Sequence, residues 1–103
     1  GEDGDFQAKI AALEEIDGYI DELHALQADV FMVAGDHSTP AVVAGHSWHP
    51  VPFLFHAKEY VRHDQTEGFN EKACANGALG TFPAKDALSL AMAHTLRLTK
   101  YGA

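Results

Sequence analysis

The stretch "ADVFMVAGDHSTP", residues 28–40, decides how the rest of the chain is read. Val30 to Ala34 is an unbroken apolar run of β-forming residues, bounded by Asp29 and Gly35. Such a run predicts a strand over 30–34 covered on both faces, as in a parallel sheet flanked by helices. Residues 35–50 then concentrate Gly, Ser, Thr, Pro and His and read as a long functional loop. Ligand sites in α/β sheets lie outside the carboxyl ends of strands. Asp36 and His37 therefore arrive where a site is expected.

Upstream, Phe6, Ile10, Leu13, Ile16, Ile20, Leu23 and Leu26 recur at steps of three and four, which predicts one amphipathic helix over 6–27. Lys9, Glu14, Glu15, Asp21 and Glu22 fall on its opposite face, Asp3 and Asp5 suit cap roles, and Gly18 weakens the middle by about 1 kcal/mol relative to Ala. Downstream, "VPFLFH" (51–56) predicts a second strand with Pro52 at its start or free side. Residues 57–66 read as a loop. A short helix follows from Thr66 or Glu67 to near Gly77, and a last helix over 84–98 behind Pro83. The order helix, strand, loop, strand, helix, helix is α/β.

The 103 residues, 47% hydrophobic, suit one small domain or a piece of a larger one. The chain opens on "GEDGD" without Met and reads as cut from a longer protein. A formal net charge of −8 argues against nucleic acid or an anionic membrane as partner, since both need a basic surface. It leaves room for a phosphorylated metabolite, because bound metal can supply local positive charge. No export signal or membrane span is read, and the single cysteine, Cys74, fits a reducing, cytoplasmic setting.

An aspartate oxygen and an imidazole nitrogen are good ligands for Zn²⁺ or Mn²⁺, and His46 lies nine residues beyond His37, within reach after a turn through Pro40 and Gly45. The residues alone leave alternatives open. Asp36 could end the strand in an Asx-turn, and His37 or His46 could be plain loop histidines. Ser38 and Thr39 read as turn hydroxyls or local caps rather than nucleophiles, with no nucleophile elbow or phosphate-cradling glycine loop nearby. His49 and Trp48 stand beside the site, the latter as a packing or lid residue. His24, His56 and His63 take the bland reading. His94 falls on an apolar helix face as a hydrogen-bonded core histidine, and Cys74 as a buried small hydrophobe. Lys58 and Arg62 read as solvated.

"GDHSTP", a short gap and "HSWHPVPFLF" resemble the C-terminal part of the cofactor-independent phosphoglycerate mutases of archaeal type, in the alkaline phosphatase superfamily. "GEDGDFQAKIAALEEID" is similar to a family segment that normally begins Gly-His-Asp-Gly-Asp, and "FNEKACANGALG" with "DALSLAMAH" to its closing segment. The resemblance spans nearly the whole chain, in order. It implies the C-terminal part of an alkaline-phosphatase-like three-layer α/β fold, with residues 1–103 a single fragment of a larger metalloenzyme domain.

The resemblance also implies a chemistry. Two divalent ions, Mn²⁺ first and Zn²⁺, Co²⁺ or Mg²⁺ as substitutes, flank a serine that takes the phosphoryl group of 3-phosphoglycerate and returns it to the 2-hydroxyl. Paired cations suit a transfer that builds charge on both attacking and leaving oxygens. Asp36 and His37 would ligate the metal that holds the serine, and His46 the other. Glu2 occupies the position of a further His ligand, and that ligand's Asp partner falls upstream of Gly1. The nucleophilic serine is expected upstream too, so the isolated chain is expected to be inactive. The rival readings are another metal-dependent phosphatase or phosphotransferase of the superfamily, and a degenerate, non-catalytic module. A fragment of a larger sheet exposes strand edges and apolar faces, so self-association is also expected.

Overall fold

The computed structural model describes residues 1–99, 101 and 102. In chain order it holds α1 (Phe6–Asp17), α2 (Ile20–His24), β1 (Val30–Ala34), β2 (Phe53–Ala57), α3 (Glu71–Cys74) and α4 (Ala87–His94), the last entered through a 3₁₀ turn over Ala84–Asp86. The α/β class and the element order match the reading of the sequence. The chain divides into two compact units. One comprises Gly1–Gln27 with Ala34–Val51, the other Ala28–Val33 with the chain from Pro52 onward.

In the first unit the expected single helix over 6–27 is two helices. Asp5 caps α1, its carboxylate accepting the Ala8 N–H at 2.9 Å. The helix closes at Gly18, whose N–H still reaches Glu14 O, while Tyr19 N–H has already tightened onto Ile16 O. Gly18 is where the sequence placed the weak point, and the backbone breaks there because glycine loses most on being held helical. After α2 the chain turns through Gln27 at φ +54°, so Leu26 is not helical.

In the second unit β1 and β2 form a two-stranded sheet. Lys58 N–H donates to Asp29 O at 3.0 Å. The end of β2 thus lies beside the start of β1, and the pair runs in opposite directions, not in the parallel arrangement that the apolar run suggested. Nor is β1 covered on both faces among the described residues, for Met32 is exposed and its neighbours are only half-buried. Its apolar run signals burial that these residues do not themselves provide. β2 starts one residue after Pro52, which has no N–H to give a ladder. Ala57, at 1% exposure, and Ala91, at 9%, are the buried hydrophobic residues described. Phe53 meets Phe82 edge-on at 5.2 Å, and Phe55 meets the His94 ring at 4.7 Å. His94 Nδ1 also pairs with Leu90 O at 3.0 Å, so the expected hydrogen bond is made, though by a half-buried ring rather than a core one.

Two expected helices are shorter than their apolar patterns. The cap of α3 is Asn70, whose side chain accepts from Ala73 N–H, so the helix does not start at Thr66 or Glu67, and Cys74 is half-buried rather than buried. Thr66 instead joins a staple: Asp64 accepts the N–H groups of Thr66 (2.9 Å) and Ala78 (2.8 Å). These bonds, the one from Ala78 first, hold the Asp64 carboxyl below its ordinary pKa. α4 ends at His94 rather than 98. The Thr95 hydroxyl bonds back to Ala91 O and Met92 O, and Leu96 enters the left-handed region at φ +55°. Leu96 N–H to Ala93 O and Arg97 N–H to Met92 O complete a Schellman motif, usually built with glycine.

Leu96 is 68% exposed, so little packing is lost on truncation. Leu96→Gly is expected to stabilise the chain by up to about 1 kcal/mol, read as a rise of several degrees in Tm. An unchanged or lower Tm would show that the left-handed cap carries no strain. The Asp64 staple makes an opposite kind of prediction. A depressed folded pKa contributes stability above the unfolded value, and this is lost as pH falls through the folded one. Asp64→Ala should therefore lower Tm at pH 7, with the gap to wild type closing below about pH 4. A gap independent of pH would mean that the carboxylate charge plays no part.

Candidate metal centre

The candidate residues all lie in the first unit, on three short pieces of chain. The loop after β1 turns at Pro40, whose carbonyl accepts the N–H groups of Val43 and Ala44, with Ala44 at φ +49°. Ser47 N–H then donates to Ser38 O at 2.8 Å in an isolated antiparallel bridge. This bridge returns His46 to His37, whose ring centroids lie 3.9 Å apart, edge to face. The third piece is the N-terminal turn, closed by Gly4 N–H to Gly1 O at 3.0 Å with Gly4 at φ +69°. A Cβ on Gly1 would come within 2.8 Å of the Thr39 carbonyl oxygen, so the bare glycine lets this turn sit against the loop.

Glu2 is thereby delivered to His46, with Oε1 2.7 Å from Nε2. Asp36 faces His37 in the same manner, Oδ2 to Nε2 at 3.2 Å. Its other oxygen accepts the His37 backbone N–H at 2.9 Å, which is the first cause of an Asp36 pKa below the ordinary value. One Asp36 oxygen thus accepts from the adjacent N–H, which is not the two-residue bond of an Asx-turn, and the other faces an imidazole. Beside the pairs lies an open cleft of about 530 Å³ lined by Gly1, Glu2, Asp3, Lys9, His37, Thr39 and His46, with Asp36 outside its lining.

All four residues singled out as metal ligands, Asp36, His37, His46 and Glu2, are therefore brought into one network. They stand as two carboxylate–imidazole pairs, and among the described residues no group of three or more His, Cys, Asp or Glu side chains is gathered to hold a metal ion. By residue type, each pair could offer a carboxylate oxygen and an imidazole nitrogen to a divalent ion of the Mn²⁺–Zn²⁺ class. Each Nε2 now engaged with a carboxylate is a potential ligand atom.

Two residues of the network were read otherwise from the sequence. Lys9 was placed with the solvated face of α1, yet its Nζ donates to Thr39 O at 2.8 Å. Thr39 was read as a turn hydroxyl, yet its Oγ1 lies 2.9 Å from His37 Nδ1 and 3.2 Å from His46 Nδ1. The spacing His37-x-Thr39 followed by Pro40 was the available signal, since proline holds the preceding residue extended. Asp3 lines the cleft, while the helix cap is made by Asp5. His49 turns to Ser47, with Nδ1 2.9 Å from Oγ, and stacks on Trp48, which is 90% exposed and packs no core.

The chain is 48% identical over its whole length to a probable 2,3-bisphosphoglycerate-independent phosphoglycerate mutase of Thermotoga sp. (strain RQ2), and 45% identical to one of Aquifex aeolicus. It covers 25% of each, so it spans about a quarter of the length of these relatives. A solved structure of a Pyrococcus horikoshii protein superposes on 99% of this chain and 32% of its own, with a TM-score of 0.89 at 34% identity. A family model described as the Metalloenzyme superfamily matches residues 1–94, a span that contains every residue of the network above, and the chain belongs to that superfamily.

Proposed function

We propose that this chain supplies part of the divalent-metal centre of a cofactor-independent phosphoglycerate mutase, an isomerase acting between 3-phosphoglycerate and 2-phosphoglycerate through a phosphoserine. The observation that carries the reading is the joining of Asp36, His37, His46 and Glu2 in one contact network, of which Glu2, His37 and His46 line one cleft. The relatives named as mutases, matching over the full length of this chain, support the choice of substrate class. Bound divalent ions, Mn²⁺ first, with Zn²⁺, Co²⁺ or Mg²⁺ as substitutes, would offset the charge that builds on the oxygens of the transferred phosphoryl group.

The chain's own residues would hold those ions. Asp36 is suited to the task because the His37 N–H keeps its carboxyl anionic to lower pH. His37 and His46 would offer their Nε2 atoms, and Glu2 an oxygen, a harder donor than the His it replaces in the family pattern and one that favours Mn²⁺ or Mg²⁺. Neither Ser38 nor Ser47 is proposed as nucleophile. Their backbones bridge each other, and the Ser47 hydroxyl is engaged with His49. The serine, the remaining ligands and the substrate-binding groups are assigned to further chain of the parent enzyme, and these 103 residues alone are proposed to be inactive. A cytoplasmic location belongs to the same reading, since its substrate is a phosphorylated metabolite.

The breadth of the matching superfamily favours one second reading, a metal-dependent phosphatase or other phosphotransferase with the same ligands. Assay of the parent enzyme separates them: Mn²⁺-dependent conversion of 3-phosphoglycerate supports the mutase, and release of inorganic phosphate alone supports the alternative. For this chain, calorimetric titration with Mn²⁺ and Zn²⁺ should detect binding that weakens at least about tenfold in His37→Ala. Equal affinity in the variant, or no binding by wild type, would sink the half-site.

The apolar surface supports a fragment of a larger domain. Phe6, Leu13, Ile16 and Leu26 are all exposed along the first two helices and their exit. In the parent, further chain is proposed to cover them; in isolation, second copies would. Sedimentation velocity over a hundredfold concentration range should show a rising average mass. A constant monomer mass would contradict this.

A further inference from the structure

We propose that Thr39 is a positioning residue for the metal centre, its one hydroxyl orienting both ligand imidazoles; the proposal rests on the metal reading above. An imidazole ligates through one nitrogen, and the hydrogen bond made by the other sets its tautomer and ring orientation. That second bond usually goes to a separate carboxylate or carbonyl for each histidine. Here both go to one atom. Thr39 Oγ1 is 2.9 Å from His37 Nδ1 and 3.2 Å from His46 Nδ1. A hydroxyl oxygen has two lone pairs, so it can accept from both Nδ1–H groups at once. With a metal bound, each Nε2 lone pair would point away from the threonine to the ion; in the metal-free chain the same Nε2 atoms meet the oxygens of Asp36 and Glu2 instead.

The hydroxyl is itself held in place. Lys9 Nζ fixes the Thr39 carbonyl at 2.8 Å. The Ser38–Ser47 bridge sits immediately before Thr39 on one arm and immediately after His46 on the other. Pro40 restricts the Thr39 backbone, and the β-branch restricts χ1. The Gly1 position closes on Thr39 Cγ2, where an added Cβ would lie 3.0 Å away. A contact that merely filled a turn would need none of these restraints on its side chain. Serine preserves the oxygen but loses the methyl; valine preserves the shape but loses the oxygen.

The test uses Thr39→Val and Thr39→Ser with two readouts. The first is the imidazole ¹⁵N–¹H correlation spectrum of the metal-free chain. The second is calorimetric affinity for Mn²⁺ and Zn²⁺. Loss of an outer hydrogen-bonding partner is expected to weaken metal binding about 10- to 100-fold. Thr39→Val should show that loss and altered ring-nitrogen shifts at both His37 and His46, with an unchanged circular dichroism spectrum. Thr39→Ser should restore the shifts and return affinity to within about threefold of wild type, which a role in packing alone would not produce. Wild-type shifts in Thr39→Val, or a serine variant as weak as the valine one, would overturn the proposal. Failure of the metal reading looks different. Wild type would then bind neither ion, and the ring-nitrogen shifts of the metal-free variants would still decide whether the hydroxyl holds the two rings.

Discussion

A single backbone hydrogen bond, Ser47 N–H to Ser38 O at 2.8 Å, closes the loop that makes this site possible. Without it, His37 and His46, nine positions apart, lose the backbone link between their arms and are joined only through side chains. With it, the arms pair at one rung and the imidazoles come into contact. One rung is a weak constraint in itself, worth about 1 kcal/mol net. It suffices because the excursion is pre-bent at Pro40 and Ala44, so little loop entropy remains to be lost on closure. The N-terminal turn then stacks on the same loop through the bare face of Gly1 and adds Glu2.

How much of this was legible depended on the range of the interaction. β1 was readable to the residue, because an apolar run between Asp29 and Gly35 states its own limits. The Asp5 cap and the weakness at Gly18 were equally local, and both hold. The direction of β2 was not legible, because strand pairing depends on the path between strands rather than on the strands. The C-terminus of α4 was missed for a related reason. Leu98 continues the helical spacing, but a hydroxyl at Thr95 competes for the carbonyls of the last turn, and periodicity does not register that competition.

At the site, the ligand types were legible and their supports were not. Asp36, His37 and His46 are of ligand type and follow a strand, although the residues alone left a turn aspartate and loop histidines open. Glu2 could be linked to them only through resemblance, since nothing local says that residue 2 meets residue 46. Lys9 and Thr39 belong to residue types with common structural roles; Lys9 joins through a contact 30 residues away, and Thr39 through two histidines two and seven residues away. Sequence periodicity assigned Lys9 to the solvent because it counts faces, whereas the long lysine side chain reaches around the helix to a carbonyl.

The pairing of carboxylates with imidazoles bears on how such a centre can remain ready for a metal in a chain of net charge −8. Isolated carboxylates crowded in a cleft repel one another, and the cleft tends to open. Imidazoles placed between them relieve that repulsion, because each Nε2 satisfies one oxygen, Asp36 on one side and Glu2 on the other. Both pairs are solvent-exposed, so each is held only weakly. An incoming divalent ion would give up little in displacing them, and Glu2, His37 and His46 already line the cleft. The two carboxylates are not equivalent in this respect. Asp36 keeps a second hydrogen bond, from the His37 N–H, that does not depend on the imidazole, so it remains oriented when the ring turns to another partner. Glu2 has its bond to His46 and a flexible side chain on a turn. Asp36 is therefore the rigid anchor of the network and Glu2 its adaptable arm, which is the order of rigidity expected if the strand-end residues define the site and the N-terminal turn completes it.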